Sequence, residues 1–480
     1  MALLHPDRKV HFVGIGGAGM SGLAKLLVEQ GYRVSGTDVK ESPVTQRLAA
    51  SGCRIGIGHG AQHVQDADLV VYSSAIVPDN PELVEARRRG IEVVQRAVVL
   101  AALMAKRRGI AVTGAHGKTT TTSLISMVLR TARLDPTVVI GGEVNDFGGN
   151  AFLGRGEYLV AEADESDGSF LELAPQTAVL TNLDAEHLDH YGSMERIEAA
   201  YRQFVRQVRP EGLVVYCSDD WRLVRICGEA VGLRSVSFGL SSGAHVRADG
   251  IELDGFGSRF QVWAGNRALG ECRLRIPGVH NVSNATAAIA VALEVGVEPD
   301  DIRAGLEQFS GAERRFQVRG CVDQVLVVDD YAHHPMEIEA TLRAARHVVP
   351  SGGRLLALFQ PHRYTRTMHL ADRFGSCFAQ ADHLVLTDIY AASERPIEGV
   401  SSRLIYDAVR RVGRPLSADY RPFREVVEAA IGWIKPGDVV MVMGAGDITE
   451  LGPMLVERLR ARITAPASSP ITASVPMEVA

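Results

Sequence analysis

The 480-residue chain is predicted to have an α/β fold of three domains. Length is the first reason, because single cores rarely extend beyond about 250 residues and about 150 residues per domain is typical. The second reason is the recurrence of short apolar runs followed by helical patterns, which builds mostly parallel sheets. The third reason is a pair of glycine-rich turns, at residues 14–19 and 114–117, each directly after an apolar run.

The first domain is expected to span residues 1–106 and to be Rossmann-like. A strand at 9–13 leads into a GxGxxG turn that begins at Gly14. Glycines in such a turn let the backbone approach a diphosphate, and Asp38 follows the second strand at the spacing of dinucleotide-binding folds. The turn alone does not identify the nucleotide, and a nicotinamide-dependent dehydrogenase is an open alternative.

A polar loop follows a later strand of the same domain, with Ser73, Ser74 and Ala75 at its start. Loops at the carboxyl ends of parallel strands bind ligands in open α/β sheets. These three residues are therefore candidates for substrate binding, although a solvated turn explains them equally well.

The second domain is expected to span residues 107–312 and to bind a nucleotide. A strand at 110–113 enters a phosphate-binding turn, which consists of Gly114, Ala115, His116, Gly117, Lys118, Thr119 and Thr120. Converging backbone amides and the following helix N-terminus bind phosphate, while Lys118 reaches the β- and γ-phosphates and Thr119 ligates Mg²⁺. The turn is shorter than usual, because Val112 stands where the first glycine of such loops is expected.

Two strand ends of this domain offer metal ligands. Glu162 is the first polar residue after the apolar run 158–161, and it opens the acidic segment EADESD. Hard cations prefer carboxylate oxygen, so we predict that Glu162 binds Mg²⁺. His187 follows the strand at 178–181 and can offer a neutral imidazole. The other acids of the segment are as easily explained by solvation, and His187 by a structural hydrogen bond.

The end of the second domain has a different pattern. Residues 245–276 consist of short alternating runs with glycine turns, which predict antiparallel hairpins. A long helix then carries His280 and Asn284 on one face, at i and i+4. They could contact an adenine edge or cap the helix, and Asn281 is also a suitable N-cap. The residues alone favour the cap.

The third domain is expected to span residues 313–464. Polar side chains follow its predicted strands, where they form a rim rather than a core. These candidates are Asp330, His333, His362, Arg363 and Arg366. Residues 465–480 have the composition of a disordered tail.

Composition excludes several classes of partner. The net charge of −6 argues against binding to nucleic acid or to an anionic membrane surface. No apolar run approaches the roughly 20 residues of a membrane helix. The six cysteines are scattered without a CxxC pair, which is typical of reduced cytoplasmic proteins. We therefore expect a cytoplasmic protein that acts on small molecules.

Six segments together resemble the Mur ligase family. They are GAHGKTTT, EADESD, TNLDAEH, GVHNVSNATAA, DDYAHHP and FQPHRYTRT, and they occur in the order found in that family. The resemblance implies an N-terminal Rossmann-like domain for a UDP-linked substrate, a central P-loop ATPase and a C-terminal Rossmann-like domain for an amino acid. The central sheet would be mostly parallel with a small antiparallel part.

The implied activity is ATP-dependent ligation of L-alanine to the lactyl carboxylate of UDP-N-acetylmuramate through an acyl phosphate, with Mg²⁺ as cofactor. The GIGG turn and the HRYTR segment favour L-alanine over a recycled tripeptide. A tripeptide-recycling ligase and a non-catalytic, nucleotide-gated binding protein are the alternatives. The protein would be a monomer or a homodimer.

The resemblance also implies a role for each candidate residue. The UDP moiety would bind Gly16, Gly17, Ala18, Gly19, Met20, Ser73, Ser74 and Ala75. The adenine would contact His280 and Asn284, which replaces the cap interpretation, and Arg315 would meet the ATP phosphates. Thr119, Glu162 and His187 would bind metal. Asp330 and His333 would serve the incoming amine, and His362, Arg363 and Arg366 would bind carboxylates. Relatives often carry a carbamoylated lysine in the second domain, but this chain has no lysine between residues 181 and 211.

Overall fold

The computed structural model describes residues 3–392, 394–415 and 417–464, so the predicted disordered tail at 465–480 lies outside the described residues. The chain divides into two compact units, Met1–Glu313 and Arg314–Ala480. The first unit contains two sheets and the second unit contains a third. The predicted three-domain α/β fold is thereby confirmed.

The first sheet consists of five parallel strands in the order β3-β2-β1-β4-β5. Its strands are β1 (Lys9–Val13), β2 (Arg33–Asp38), β3 (Arg54–Ile57), β4 (Leu69–Tyr72) and β5 (Glu92–Gln95). Its helices are α1 (Ala18–Glu29), α2 (Pro43–Ala50), α3 (Pro81–Arg88) and α4 (Arg96–Ala105). The direction of winding changes at β1, so the crevice where such sheets bind ligands opens beside the glycine turn that follows β1.

The second sheet contains ten strands in the order β15-β14-β13-β12-β11-β10-β6-β9-β7-β8. They are β6 (Arg108–Thr113), β7 (Thr137–Val144), β8 (Gly149–Phe152), β9 (Tyr158–Glu162), β10 (Thr177–Leu180), β11 (Leu213–Cys217), β12 (Arg234–Gly239), β13 (Val246–Asp254), β14 (Gly257–Ala264) and β15 (Arg267–Leu274). Strands β13 to β15 form the predicted antiparallel hairpins, whereas β6 lies between parallel neighbours β10 and β9.

Six helices accompany the second sheet. They are α5 (Lys118–Thr131), α6 (Leu188–Tyr191), α7 (Met194–Arg206), α8 (Trp221–Gly228), α9 (Val279–Val295) and α10 (Pro299–Gln308). One continuous apolar core, which runs from Leu4 to Ala312, includes side chains of both the first and the second sheets. Because burial of apolar area drives packing, this shared core joins the two domains into one unit.

The third sheet has the order β16-β17-β21-β18-β19-β20, with β16 antiparallel to its neighbour. Its strands are β16 (Gln317–Val322), β17 (Val325–Asp330), β18 (Leu355–Phe359), β19 (His383–Leu386), β20 (Ser417–Tyr420) and β21 (Val439–Met443). Its helices are α11 (Pro335–Arg346), α12 (Tyr364–Cys377), α13 (Arg403–Val412), α14 (Val426–Trp433) and α15 (Leu451–Thr464). Strands β18 and β21 are buried throughout, as expected for central parallel strands covered on both faces.

None of the helices in the described part of the chain combines the length and the apolar character that a membrane span requires.

Candidate active site

The predicted phosphate-binding turn begins directly after β6, and its last three residues, Lys118, Thr119 and Thr120, form the first turn of α5. Gly114 and Gly117 have φ values of 142° and 82°, which favour glycine. A Cβ at Gly114 would clash with the hydroxyl of Thr181, and one at Gly117 would clash with the side-chain oxygen of Asn284. The turn therefore packs tightly against the end of β10 and against α9, which explains how a shortened loop keeps a defined shape.

His116 belongs to this turn and is tied to the loop after β10. Its backbone N–H donates to Oδ1 of Asn182 at 2.8 Å, and its carbonyl accepts from the side chains of Asn182 and Thr181. Its ring Nε2 lies 3.3 Å from Oδ2 of Asp184. Thr181, Asn182 and Asp184 therefore hold this part of the turn in place. The spacing of the motifs alone did not identify these three residues as partners of His116.

Lys118 is the first residue of α5, and its ammonium is surrounded by oxygen. Nζ donates to the carbonyl of Gly114 at 2.6 Å and to Oε1 of Glu165 at 2.8 Å. Burial by itself lowers the pKa of Lys118, but the charge of Glu165 and of the acids beside it raises the pKa above its usual value. The lysine therefore stays charged at physiological pH.

Glu165 is a site residue that the sequence did not distinguish from its acidic neighbours. Its side chain is 3% exposed, and its carbonyl accepts from the hydroxyl of Tyr191 at 2.6 Å. Nε2 of His187 lies 3.8 Å from its Oε1. Glu165 thus stands between Lys118 and His187, which are predicted to bind phosphate and metal.

Glu162 ends β9 beside the start of α5. Burial raises the pKa of its carboxyl, although hydrogen bonds from the Thr119 side chain and the Gly141 backbone act in the opposite direction. Its Oε1 is buried and has no hydrogen-bond partner among the described residues. A Cβ at Gly141 would lie 2.6 Å from Oε2, so only glycine leaves this space open. An unsatisfied carboxylate oxygen beside a threonine hydroxyl fits a hard divalent cation.

The start of α9 differs from the interpretation that the residues alone favoured. Gly278 is the N-cap of this helix, so His280, Asn281 and Asn284 all lie inside it, and the cap interpretation is wrong. Asn284 instead accepts a hydrogen bond from Thr121 of α5 at 3.2 Å and lies against the phosphate-binding turn. His280 is exposed on the first turn of the helix. Its contact with adenine stays a prediction.

The glycine turn after β1 is held by the end of β2. The backbone N–H groups of Gly14 and Ile15 both donate to the carbonyl of Thr37 at 2.8 Å. The N–H of Gly16 donates to Oδ2 of Asp38 at 2.9 Å, and a Cβ at Gly16 would lie 2.8 Å from the same oxygen. Asp38, which the sequence placed at the spacing of dinucleotide-binding folds, therefore shapes the turn itself.

The remaining predicted substrate residues adjoin this turn. Gly17 is the N-cap of α1, and Ala18, Gly19 and Met20 form its first turn. The loop that begins at Ser73, Ser74 and Ala75 follows β4, which pairs directly with β1. The next residue, Ile76, places its Cδ1 3.1 Å from the position of a Cβ on Gly14. The two predicted binding loops are therefore neighbours.

A buried polar cluster around Glu82 supports the strands β1 and β2 next to the glycine turn. The sequence alone did not indicate this cluster. The carboxylate of Glu82 is fully buried and accepts from the Thr37 hydroxyl, with ring nitrogens of His11 and His59 each at 2.8 Å. Burial raises the pKa of Glu82, but these hydrogen bonds outweigh it and hold the pKa below its usual value. The ionised carboxylate thus fixes the strand ends that carry the turn.

In the third domain, Asp330 lies at the end of β17. Its carboxylate accepts from the N–H groups of Phe316 and Ala332, each at 2.8 Å. Burial nevertheless raises its pKa to about 6. Arg315 lies nearby on the same unit, with its guanidinium carbon 5.2 Å from the ring centre of Tyr331.

His333, His362 and Arg366 form one group in the third domain. The two imidazole rings are 5.6 Å apart, and Nη1 of Arg366 lies 3.2 Å from Nδ1 of His362. Burial, followed by the charges of His333 and the arginines, lowers the pKa of His362 to about 3. His362 is therefore a neutral acceptor for Arg366. Arg363 is the N-cap residue of α12, next to this group.

Three family models match the chain in sequence. They are described as the Mur ligase family catalytic domain at residues 9–108, the Mur ligase middle domain at 112–292 and the Mur ligase glutamate ligase domain at 314–446. Together they cover more than half of the chain and include each candidate site. The chain belongs to the Mur ligase family. The resemblance inferred from the six motifs is confirmed.

Within the Mur ligase family, the chain is similar over nearly its whole length to proteins that are named for one activity. It is 50% identical to a UDP-N-acetylmuramate–L-alanine ligase of Anaeromyxobacter sp. (strain Fw109-5), over 94% of this chain and 98% of that protein. It is 49% identical to the enzyme of the same name from Trichlorobacter lovleyi, over 94% and 99%. The crystal structure of a UDP-N-acetylmuramate–alanine ligase from Thermotoga maritima matches with a TM-score of 0.80 and 30% identity, over 95% and 100%.

Proposed function

We propose that this Mur ligase joins L-alanine to the lactyl carboxylate of UDP-N-acetylmuramate and converts ATP to ADP and phosphate. The observation that carries the proposal is the 50% identity to a UDP-N-acetylmuramate–L-alanine ligase over 94% of the chain. The site supports it, because the phosphate-binding turn and the glycine turn belong to one compact unit.

The reaction has two steps. A lactyl carboxylate oxygen attacks the γ-phosphorus of ATP, the bond from that phosphorus to the β–γ bridging oxygen breaks, and ADP leaves. The amine of alanine then attacks the acyl carbon, the carbon–oxygen bond to the phosphoryl group breaks, and phosphate leaves while the nitrogen loses a proton. Because the first nucleophile is already an anion, no serine or cysteine nucleophile is needed.

Lys118 and the backbone amides of its turn are proposed to bind the ATP phosphates. The triphosphate carries more negative charge than Glu165 and competes with it for the ammonium of Lys118. Thr119 and Glu162 are proposed to hold Mg²⁺, with His187 as a further ligand. When bound, the cation neutralises charge on the transferring phosphoryl oxygens.

Residues of the third domain are proposed to serve the amine and the amino-acid carboxylate. Asp330 and His333 are candidates for accepting the amine proton, since a base works best with a pKa near the working pH. Arg363 and Arg366 present forked guanidinium groups that suit a carboxylate. Neutral His362 accepts from Arg366 and thereby orients it.

Release of phosphate tests the proposal. Purified protein receives ATP, Mg²⁺ and UDP-N-acetylmuramate, and then L-alanine, glycine, L-serine or the tripeptide in separate reactions. We expect the fastest release with L-alanine and none without an amino acid. Release with the tripeptide alone would favour the alternative of a tripeptide-recycling ligase. Binding of ATP without release under any condition would favour a nucleotide-gated binding protein.

A further inference from the structure

Arg96 links the glycine turn of the first domain to the acidic segment of the second domain. It is the first residue of α4. Its Nη2 donates to Oδ2 of Asp164 at 2.8 Å. Its Nη1 lies 3.0 Å from the position of a Cβ on Gly19, so the same guanidinium rests on the first turn of α1.

Asp164 belongs to the acidic segment that also contains Glu162, the predicted metal ligand, and Glu165, the partner of Lys118. It stands between Glu162 and Glu165, and its Oδ1 accepts from the N–H of Ser166 at 3.1 Å. The other oxygen of the same carboxylate accepts from Arg96, so Asp164 connects Arg96 directly to the segment that carries Glu162 and Glu165.

Hydrogen bonds from a second segment of the second domain, around β8, also fix the start of α1. The side-chain amide of Asn150 donates to the carbonyl of Ala18 and to the hydroxyl of Ser21. Nζ of Lys25, farther along the helix, donates to the carbonyl of Ala151 at 2.9 Å. The start of α1 is thus fixed against the second domain, and a group bound there meets Arg96 at a defined position.

We propose that Arg96 couples binding of the sugar nucleotide to binding of ATP, as a positioning residue. One edge of its guanidinium holds Asp164, and the edge over Gly19 holds an anionic group of the substrate on the glycine turn. This inference rests on the proposed function, which places the diphosphate of the sugar nucleotide at that turn.

Arginine is suited to this task because its five donors form a rigid fork that can bind two anions at once. Occupation of the outer edge restricts the guanidinium and therefore Asp164. The segment that carries Glu162 and Glu165 is then ordered before ATP binds, so each ligand tightens the other by the same factor. A lysine keeps the charge but cannot bridge in this way.

The coupling factor is the measurement that isolates this role. Isothermal titration gives the Kd of a non-hydrolysable ATP analogue with Mg²⁺, for the free protein and for protein saturated with UDP-N-acetylmuramate. For the wild type we expect the second Kd to be lower by about fivefold or more. For R96A and D164N we expect the two values to agree within about twofold, and the double variant to lose nothing further.

Arg47→Ala is the matched control, because Arg47 pairs with Glu143 across the same two domains but away from the acidic segment. It should keep the wild-type factor. If R96A fails to fold, R96K provides the test instead. This variant should fold and should still lose most of the coupling factor between the two ligands. A wild-type factor of one, or an unchanged factor in R96A or R96K, would overturn the inference. Amide formation by the wild type, measured in parallel, reports separately on the proposed function.

Discussion

Lys118 and Glu165 form an ion pair of 2.8 Å in which the carboxylate side chain is 3% exposed and the lysine side chain 18% exposed. A charge that is buried to this extent must be paired, because removal from water is costly. The pair therefore fixes the position of Lys118, and the charged ammonium is stable at this buried position only beside an anion.

Replacing Glu165 by glutamine should destabilise the protein and increase its response to ATP. Loss of the carboxylate leaves the ammonium of Lys118 without its partner, at a cost of about 3 kcal/mol in the free energy of unfolding. Phosphates can replace that partner, so Mg²⁺-ATP should raise the Tm of E165Q more than that of the wild type. Thermal unfolding with and without nucleotide measures this, with the exposed Glu157→Gln as control. Equal shifts in E165Q and the wild type would be evidence against the pairing.

Replacing Glu162 by glutamine should weaken activation by Mg²⁺. The wild-type carboxyl has a pKa raised by burial, so it protonates at a higher pH than an ordinary glutamate. The Mg²⁺ concentration for half-maximal activity should consequently rise as the pH falls. E162Q should need roughly tenfold more Mg²⁺ and show a flatter pH dependence, since about 1.4 kcal/mol corresponds to tenfold. The exposed Glu172→Gln should behave as the wild type; a normal Mg²⁺ requirement in E162Q would exclude Glu162 as a ligand.

Replacing Arg363 or Arg366 by lysine should raise the KM for L-alanine with little change in the KM for ATP. Lysine keeps the charge but loses the fork that binds both oxygens of a carboxylate, which is worth roughly tenfold in affinity. Steady-state kinetics with each substrate varied in turn measures the two constants. Arg373→Lys, an exposed position on the same helix α12, is the control. A rise confined to the KM for ATP would assign these arginines to the nucleotide instead.

Replacing Asp330 by asparagine should change how stability depends on pH. Burial raises the pKa of Asp330 from 3.8 to about 6, so the folded protein binds this proton more tightly than the unfolded chain. The stabilising effect of the protonated group is complete below about pH 4 and is lost as the pH rises through about 6, by about 3 kcal/mol in total. The variant lacks this titration.

Urea unfolding at pH 4.5, 5.5 and 7 tests this prediction by the difference in free energy of unfolding between D330N and the wild type. The difference should shift in favour of D330N as the pH rises. The exposed Glu339→Gln should give a constant difference. A constant difference for D330N would show that Asp330 is not buried with a raised pKa.

The sequence was sufficient to predict the sheets and the main turns of the site. Glycine spacing after an apolar run predicted the positions of both glycine-rich turns. At Gly114 and Gly117 the positive φ angles and the close protein neighbours explain why glycine is needed. Glu162 stood out in the sequence because it is the first polar residue after an apolar run, and in the structure it is the last residue of β9.

Residues that act through distant partners were not predictable in this way. Glu165 looks like any acid in a charged run until the fold brings Lys118 to it, and Glu82 acquires its two histidines from different strands and loops. The preference for a cap at His280 and Asn284 was wrong because Gly278 caps α9. A sequence pattern predicts the structure of the segment in which it occurs. The roles of Glu165 and Glu82 arise instead from contacts between segments that lie far apart in the chain.

The most direct test of the proposed reaction follows an oxygen atom of the lactyl carboxylate into the released phosphate. UDP-N-acetylmuramate labelled with ¹⁸O in its lactyl carboxylate is incubated with the protein, Mg²⁺, ATP and L-alanine, and the phosphate is analysed by mass spectrometry. Attack of the carboxylate on the γ-phosphorus predicts that each phosphate carries one oxygen from the carboxylate, in step with formation of the alanyl amide. Unlabelled phosphate, or labelled phosphate without the amide, would contradict the central claim.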